Sequence, residues 1–406
     1  MTIRTLAAAA ALSLVFGASA QAACAFKNDV PVKSLTAGFQ AWKSVTSAMA
    51  ECGNVQAELD QDFGKKQPEA FAAKPSLYQI GGVAAETFVP LNTAGTIRPL
   101  DDLVAKYGQK LTPNQLVKVD GKVMAIAMMV NAQHLMYRKD VFDQLGIAEP
   151  KTYDDVLAAA AKIKAAGVMA TPIGATMRTG FNLGQDFVNL YMGYGGQFFG
   201  EGNMPALSTG DAGVKTLEMM KKLTAYMDPE YLTADSTVVQ KQFQQGKIAM
   251  ANFWASRAGA LDDAKESTVV GKIAMAAAPA AVPGGKPATT VWWDGAVIAK
   301  NISDAEADAA FRVLMEGMDK EMVTANNADA VWLIDGYVPG RSAEGALASM
   351  KGGAPAYPAA PRLGLLTTAI GNTLADFFTG KSDAMATLKA IEAKYVTSAK
   401  EAGLIK

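Results

Sequence analysis

Residues 121–163 read GKVMAIAMMVNAQHLMYRKDVFDQLGIAEPKTYDDVLAAAAKI. The stretch begins as a hairpin-like strand, continues as an extended crossing segment and ends in a helix. The next helix is marked at both ends. Thr152 is an N-cap with Asp155 three positions on, a pair that can satisfy two free amides reciprocally, and Gly167 follows the last turn. Extended and helical stretches alternating in this way point to an α/β layout.

The alternation runs outward in both directions. Upstream, VPVKSLTAGF and NVQAELDQDF read as strands around the helix QAWKSVTSAMAECG, which Gly53 terminates. SLYQIGG is a third strand that stops on paired glycines, and TIRPLDDLVAKYG holds a short helix. Downstream, STVVQKQFQQGKIAMANFWAS gives a helix, a turn at Gly246 and a strand ending at Trp254. KIAMAAAPAAVPGGKP runs from a strand into a Pro/Gly connector, followed by the strand ATTVWWDGAVIAK and the helix DAEADAAFRVLMEGM. From Ala330 onward, loops and helices are expected, and there is no internal repeat.

The first residues are a basic start, an apolar run from Leu6 to Phe16 and the small residues GASAQA, the pattern of a secretory signal peptide cleaved after Ala22. The apolar run is too short to span a bilayer. Cys24 leaves open a lipid-anchored N-terminus, although the preceding QAA lacks the aliphatic residue of such sites. The two cysteines, Cys24 and Cys52, are an even pair in an exported chain, so one disulfide is expected. A chain of 406 residues, 50% hydrophobic and 19% charged, holds two domains' worth of core. The net charge of −1 and the lack of a basic stripe with interleaved aromatics argue against nucleic acid as a partner.

Catalytic chemistry finds few groups. His134 is the single histidine, and no cysteine lies outside the N-terminal pair, which argues against His/Cys metal clusters. No Gly-x-Ser-x-Gly elbow supplies a nucleophile. Asp101-Asp102 and Asp154-Asp155 sit where helices begin, where carboxylates serve free amides. Neither these pairs nor Asp262-Asp263 set two acids across a sugar, as a glycosidase needs. Glycine pairs at 81–82, 195–196 and 284–285 lack phosphate-loop spacing. No catalytic residue, metal or cofactor is therefore expected. What remains is aromatic and amide-rich. Trp42, Trp254, Trp292, Trp293 and Trp332, with Tyr191, Tyr194 and Tyr337, could pack on the CH faces of a sugar. Asp62, Asp294, Gln40, Gln133, Arg178, Asn182 and Arg341 could serve its hydroxyls. Ordinary core packing is the alternative reading for each ring. Strand alternation sends Trp292 and Trp293 to opposite sides.

Several segments in series resemble the periplasmic solute-binding proteins of ATP-driven importers, in the sugar-uptake group that includes maltose-binding-protein-like members. GTIRPLDDLV is similar to the family's motif after the third strand. In the opening stretch the matching blocks are Gly121-Lys122, Tyr137-Arg138-Lys139-Asp140, Gly146, Pro150 and Thr152-Tyr153-Asp154-Asp155. FQQGKIAMANFW is similar to the block Phe-x-x-Gly-Lys-x-Ala-Met. The blocks run from about 97 to 320. Arg138, Met124 and Ala127 depart from the family's usual Asn, aromatic and Pro, and its Gly-Gly-Trp stretch reads Trp292-Trp293-Asp294-Gly295 here.

The resemblance implies an α/β fold of two lobes (the periplasmic binding protein fold, type II-like) with a ligand in the cleft between them. It places crossings near 128–132, 276–284 and 318–330. The first lobe is then 23–129 plus 284–318, and the second 130–276 plus 330–406. It further implies a monomeric, non-enzymatic periplasmic carrier that captures a carbohydrate or polyol and delivers it to an ABC permease. The expected ligand residues are Trp254 and Trp293 as stacking rings with Asp294, Asp62 and Arg341 on hydroxyls. Gln40, Gln133, Trp292, Trp332 and Arg178 come next. Two alternatives stay open. One is the same fold with another small solute (an acidic or sulfonated sugar, a polyamine, a carboxylate, an iron chelate). The other is a glycan-cleaving enzyme.

Overall fold

The computed structural model describes residues 24–405, and the expected signal peptide, 1–22, lies outside them. The strands are β1 (Val32–Thr36), β2 (Val55–Leu59), β3 (Ile80–Ala84), β4 (Leu116–Val119), β5 (Lys122–Asn131), β6 (Gln133–Arg138), β7 (Ile173–Gly174), β8 (Met250–Trp254), β9 (Ile273–Ala276), β10 (Trp292–Ile298) and β11 (Val331–Trp332). They form two sheets. The first has the order β11-β5-β10-β3-β1-β2 with β4 beside β5, and the second has the order β7-β8-β6-β9.

In the first sheet β2, β1 and β3 are parallel, joined through the helices Gln40–Ala50 and Phe63–Ala72. Parallel neighbours need such crossovers. β10 enters antiparallel between β3 and β5. Helices cover both faces: Gln40–Ala50 and Asp304–Gly317 on one side, Phe63–Ala72 and Ala85–Thr93 on the other. Both faces of the central strands are therefore buried, which is why β3 and β10 read as apolar runs rather than alternating ones. The second lobe packs the helices Tyr153–Ala165, Phe181–Gly193, Ala212–Thr224, Pro361–Thr373 and Ala384–Glu401 around its smaller sheet.

The opening stretch holds the turning point. β5 ends the first sheet at Asn131, and β6 begins the second at Gln133, so the chain changes lobes at Ala132. The cap of the following helix forms as its sequence dictates: the Asp155 amide donates to Thr152 Oγ1 at 3.2 Å, and the Thr152 amide donates to Asp155 Oδ2 at 2.9 Å. Cys24 and Cys52 are joined by a disulfide.

Two boundaries differ from expectation. Residues 284–291 still belong with the second lobe: Ala288 lies in its core, the Val291 amide donates to Pro355 O, and the Tyr357 amide donates to Val291 O. The chain joins the first sheet only at Trp292. At the other end, Val331 and Trp332 pair with β5, and Met322 and Val323 of the helix Lys320–Ala325 are buried in the first lobe's core. Residues 318–330 are therefore not a crossing, and 330 is not where the second lobe resumes. Apolar burial against the helix Gln40–Ala50 and the unpaired edge of β5 keep this segment in the first lobe.

His134 is fully buried in the second lobe, held against Gly345, where a Cβ would lie 2.1 Å from Nδ1. Burial pulls its pKa down to about 4.

Candidate functional site

The site is built from the start of β10. Its pairing with β5 shifts register between Asp294 and Gly295, leaving Met128 unmatched in a bulge. Only glycine fits at 295, because a Cβ there would sit 2.2 Å from Ile126 O. Upstream of the bulge the period-2 rule sorts the side chains. Trp292 and Asp294 share one face, and Trp293 takes the other, lying edge-on to Phe88 at 5.6 Å. Trp293 thus packs beneath the helix Ala85–Thr93, and Asp294 accompanies Trp292 rather than Trp293.

The Trp292 main chain belongs to the first sheet, but its ring is held by the second lobe. It stacks on Tyr357 at 3.9 Å and meets Trp254 and Phe181 edge-on at 5.8 and 6.0 Å. Its indole N–H donates to Thr290 Oγ1 at 2.9 Å, and Thr290 donates to Asn189 Oδ1 at 2.9 Å. The Asn189 amide donates to Gln133 Oε1 at 2.7 Å, and Gln133 Nε2 donates to Asp186 Oδ1 at 2.8 Å. A chain of hydrogen bonds thus runs from the ring, past the residue that follows the lobe crossing, to the carboxyl of Asp186 on the helix Phe181–Gly193. Burial pushes Asp186 up to about 7, against the pull of Gln133 and Thr176. Beside it is a cavity of ≈ 50 Å³ lined by Tyr153, Asn252, Met177, Met220 and Met250. It lies inside the second lobe, not between the lobes.

Two acids border the aromatic cluster from the first lobe. Asp294 is 6% exposed and faces the Asn131 amide; burial pushes its carboxyl up to about 7. Glu86, in the first turn of the helix after β3, keeps some solvent contact. It is enclosed closely enough that burial again raises it to about 7. Its charge is felt by the Tyr357 phenol, which burial pushes up and whose hydroxyl, near the Thr367 hydroxyl, makes no hydrogen bond of ordinary geometry. Buried polar atoms without partners are uncommon, and at the junction of two lobes they are the atoms a ligand would satisfy.

The other expected residues are placed elsewhere. Arg178 bonds Asp235 of its own lobe at 3.1 Å and reaches Asp62 of the first lobe at 3.9 Å, so these two form an ion pair across the cleft rim. Arg341 is taken up by Asp262 and the Ile273 carbonyl. Trp332 is first-lobe core, its indole donating to Asn326 O. Gln40 is exposed at the start of its helix, its amide beside Asp329. Gln133 is buried within the hydrogen-bond chain. Of the expected set, the structure brings together Trp254, Trp292 and Asp294. Glu86, Tyr357 and Phe181 join them without having been singled out. Glu86 carried a usable signal, since it directly follows a strand at the sheet's carboxyl end, where α/β sheets meet ligands. Tyr357, in a proline-rich stretch, carried none.

The chain matches the bacterial extracellular solute-binding protein family over residues 52–314 and belongs to that family. It is 30% identical over 244 residues to a probable sugar-binding periplasmic protein of Mesorhizobium japonicum, covering 56% of this chain and 50% of that one. It is 29% identical over 184 residues to an sn-glycerol-3-phosphate-binding periplasmic protein of Brucella abortus, covering 35% and 41%. The matches thus span half or less of these curated relatives. A solute-binding protein of an ABC transporter from Agrobacterium radiobacter K84, solved in complex with ribitol, superposes with a TM-score of 0.81 at 21% identity, over 91% of this chain and 99% of that one. The fold is the two-lobed periplasmic binding protein fold, and the family binds solutes rather than transforming them. Among the described residues no helix is long and apolar enough to cross a membrane.

Proposed function

We infer that this protein is the substrate-binding component of an ABC transporter and captures a carbohydrate or polyol between its lobes. The observation that carries the reading is the cluster of Trp254, Trp292 and Tyr357 at the lobe junction, bordered by Asp294, Glu86 and an unpartnered phenol. Rings offer the CH faces of a sugar or alditol a flat apolar surface, and carboxyl groups accept its hydroxyl hydrogens. The names of relatives that bind ribitol or sugars point the same way. On this reading the lobes close around the solute by rotation at Ala132, at the step from Val291 into Trp292 and in the segment after β11, and a membrane permease receives the closed form. The chain acts as a monomer in the periplasm after removal of residues 1–22.

The test is a thermal-shift screen of pentitols, hexitols, mono- and disaccharides against organic acids, polyamines and sugar phosphates. A solute that binds only the folded state raises the melting temperature. The reading expects the shift among hydroxylated compounds; shifts confined to solutes without a polyhydroxyl chain would overturn it.

A further inference from the structure

Accepting that the cleft takes a hydroxylated solute, the charges around it say more about which one. Among the described residues neither Glu86 nor Asp294 has a salt-bridge partner, and no cation perturbs either carboxyl. The arginines that could approach the cleft are engaged elsewhere. Arg178 is held by Asp235 and Asp62 and Arg341 by Asp262, while Arg257 is buried with its guanidinium donating to the neutral Gln240 side chain. Among the described residues, the two partly exposed arginines at the rim, Arg178 and Arg341, are thus already paired with acids. The interior offers two acids beside three aromatic rings. An enclosed carboxylate is costly unless a positive group or several hydrogen-bond donors meet it. An ammonium meets both needs, and the faces of Trp and Tyr attract it further. A second observation is independent of the acids. The Tyr357 hydroxyl sits on a side chain only 5% exposed, has the Thr367 hydroxyl nearby but makes no hydrogen bond of ordinary geometry, and lies within range of the Glu86 charge. It is free to bond a donor or acceptor on a bound molecule.

We propose that the cargo is a hydroxylated solute bearing one ammonium group, an amino sugar or amino alditol, held between Glu86, Asp294 and the Trp254–Trp292–Tyr357 cluster. Anionic solutes such as a glycerol phosphate are disfavoured beside the two acids, Glu86 and Asp294.

The experiment is calorimetry on the whole exported chain with matched pairs: sorbitol against 1-amino-1-deoxysorbitol, and glucose against glucosamine and N-acetylglucosamine. The amine is expected to bind about tenfold tighter or more than its hydroxyl counterpart, the ratio that about 1.4 kcal/mol provides, and N-acetylation is expected to abolish the gain. Glu86→Gln and Asp294→Asn should each shrink the ratio while leaving the thermal melt cooperative. Equal or tighter binding of the neutral partner in every pair would overturn the proposal while leaving the carbohydrate reading intact. If no member of either series bound, this proposal would fall, while the carbohydrate reading would be decided by the thermal-shift screen. The pairs are compared on the unaltered protein, so the outcome does not depend on any variant folding.

Discussion

The ion pair between Arg178 and Asp62 predicts a small, salt-sensitive effect on affinity, and the size can be worked from its surroundings. The closest atoms are 3.9 Å apart, and the side chains are 39% and 49% exposed. At that separation two charges attract by about 1 kcal/mol in water, and exposed pairs usually contribute 0 to about 1 kcal/mol. Neither partner is orphaned by losing the other, because Asp235 holds Arg178 at 3.1 Å and Lys65 holds Asp62 at 2.9 Å. Removing the Asp62 charge should therefore cost the closed form about 0.5 kcal/mol, roughly a twofold rise in Kd. Reversing it replaces attraction with repulsion and should cost about 1 kcal/mol, roughly fivefold. The assay is the Kd of whichever solute the thermal screen identifies, for wild type, Asp62→Asn and Asp62→Lys, at low ionic strength and in about 1 M salt. Screening shortens to about 3 Å at the higher salt, so both deficits should largely vanish there. A tenfold or larger loss in Asp62→Asn that persists in high salt would refute this reasoning and make Asp62 a direct ligand contact.

Trp292→Ala should weaken ligand binding by about tenfold or more, whereas Trp293→Ala should act mainly on first-lobe stability through Phe88; calorimetry and melting of the two variants separate these outcomes. Replacing Cys24 and Cys52 together by serine should lower stability by about 3 to 4 kcal/mol, the loop-closure value for their separation of 28 residues, read by chemical denaturation. The buried His134, at about 4 in the fold against about 6.5 unfolded, binds fewer protons folded than unfolded. Its contribution is therefore intact above about pH 6.5 and is lost as pH falls toward 4, by up to about 3 kcal/mol. Asp186, Glu86 and Asp294, raised to about 7, act in the opposite sense, their contribution being lost as pH rises from about 4 through 7. The His134 part is isolated by comparing the pH dependence of melting for wild type and His134→Gln; parallel curves would refute it.

Where local rules operate, the sequence was readable. The Thr152–Asp155 cap, the exported cysteine pair and the opposite facing of Trp292 and Trp293 all follow from spacing and compartment. The same period-2 rule, carried one residue further, also pairs Asp294 with Trp292. What could not be read depends on partners distant in sequence. Whether an arginine is free depends on where Asp235 and Asp262 fold, so Arg178 and Arg341 look like ligand groups until those neighbours are seen. Trp332 looks like a cleft ring until its strand is found pairing with β5. Tyr357 reaches the site only because the 353–360 loop bonds Val291.

The divided attachment of Trp292 has a mechanical and an optical consequence. At this one of the three crossings, a swing of one lobe against the other is taken up as torsion in the backbone from 290 to 292, because the strand fixes one end and Thr290 and Tyr357 fix the ring. The indole is thus a gauge wired across the joint. Its emission should report the state of the molecule without any attached dye, which suits the protein to use as a reagentless sensor for its own cargo.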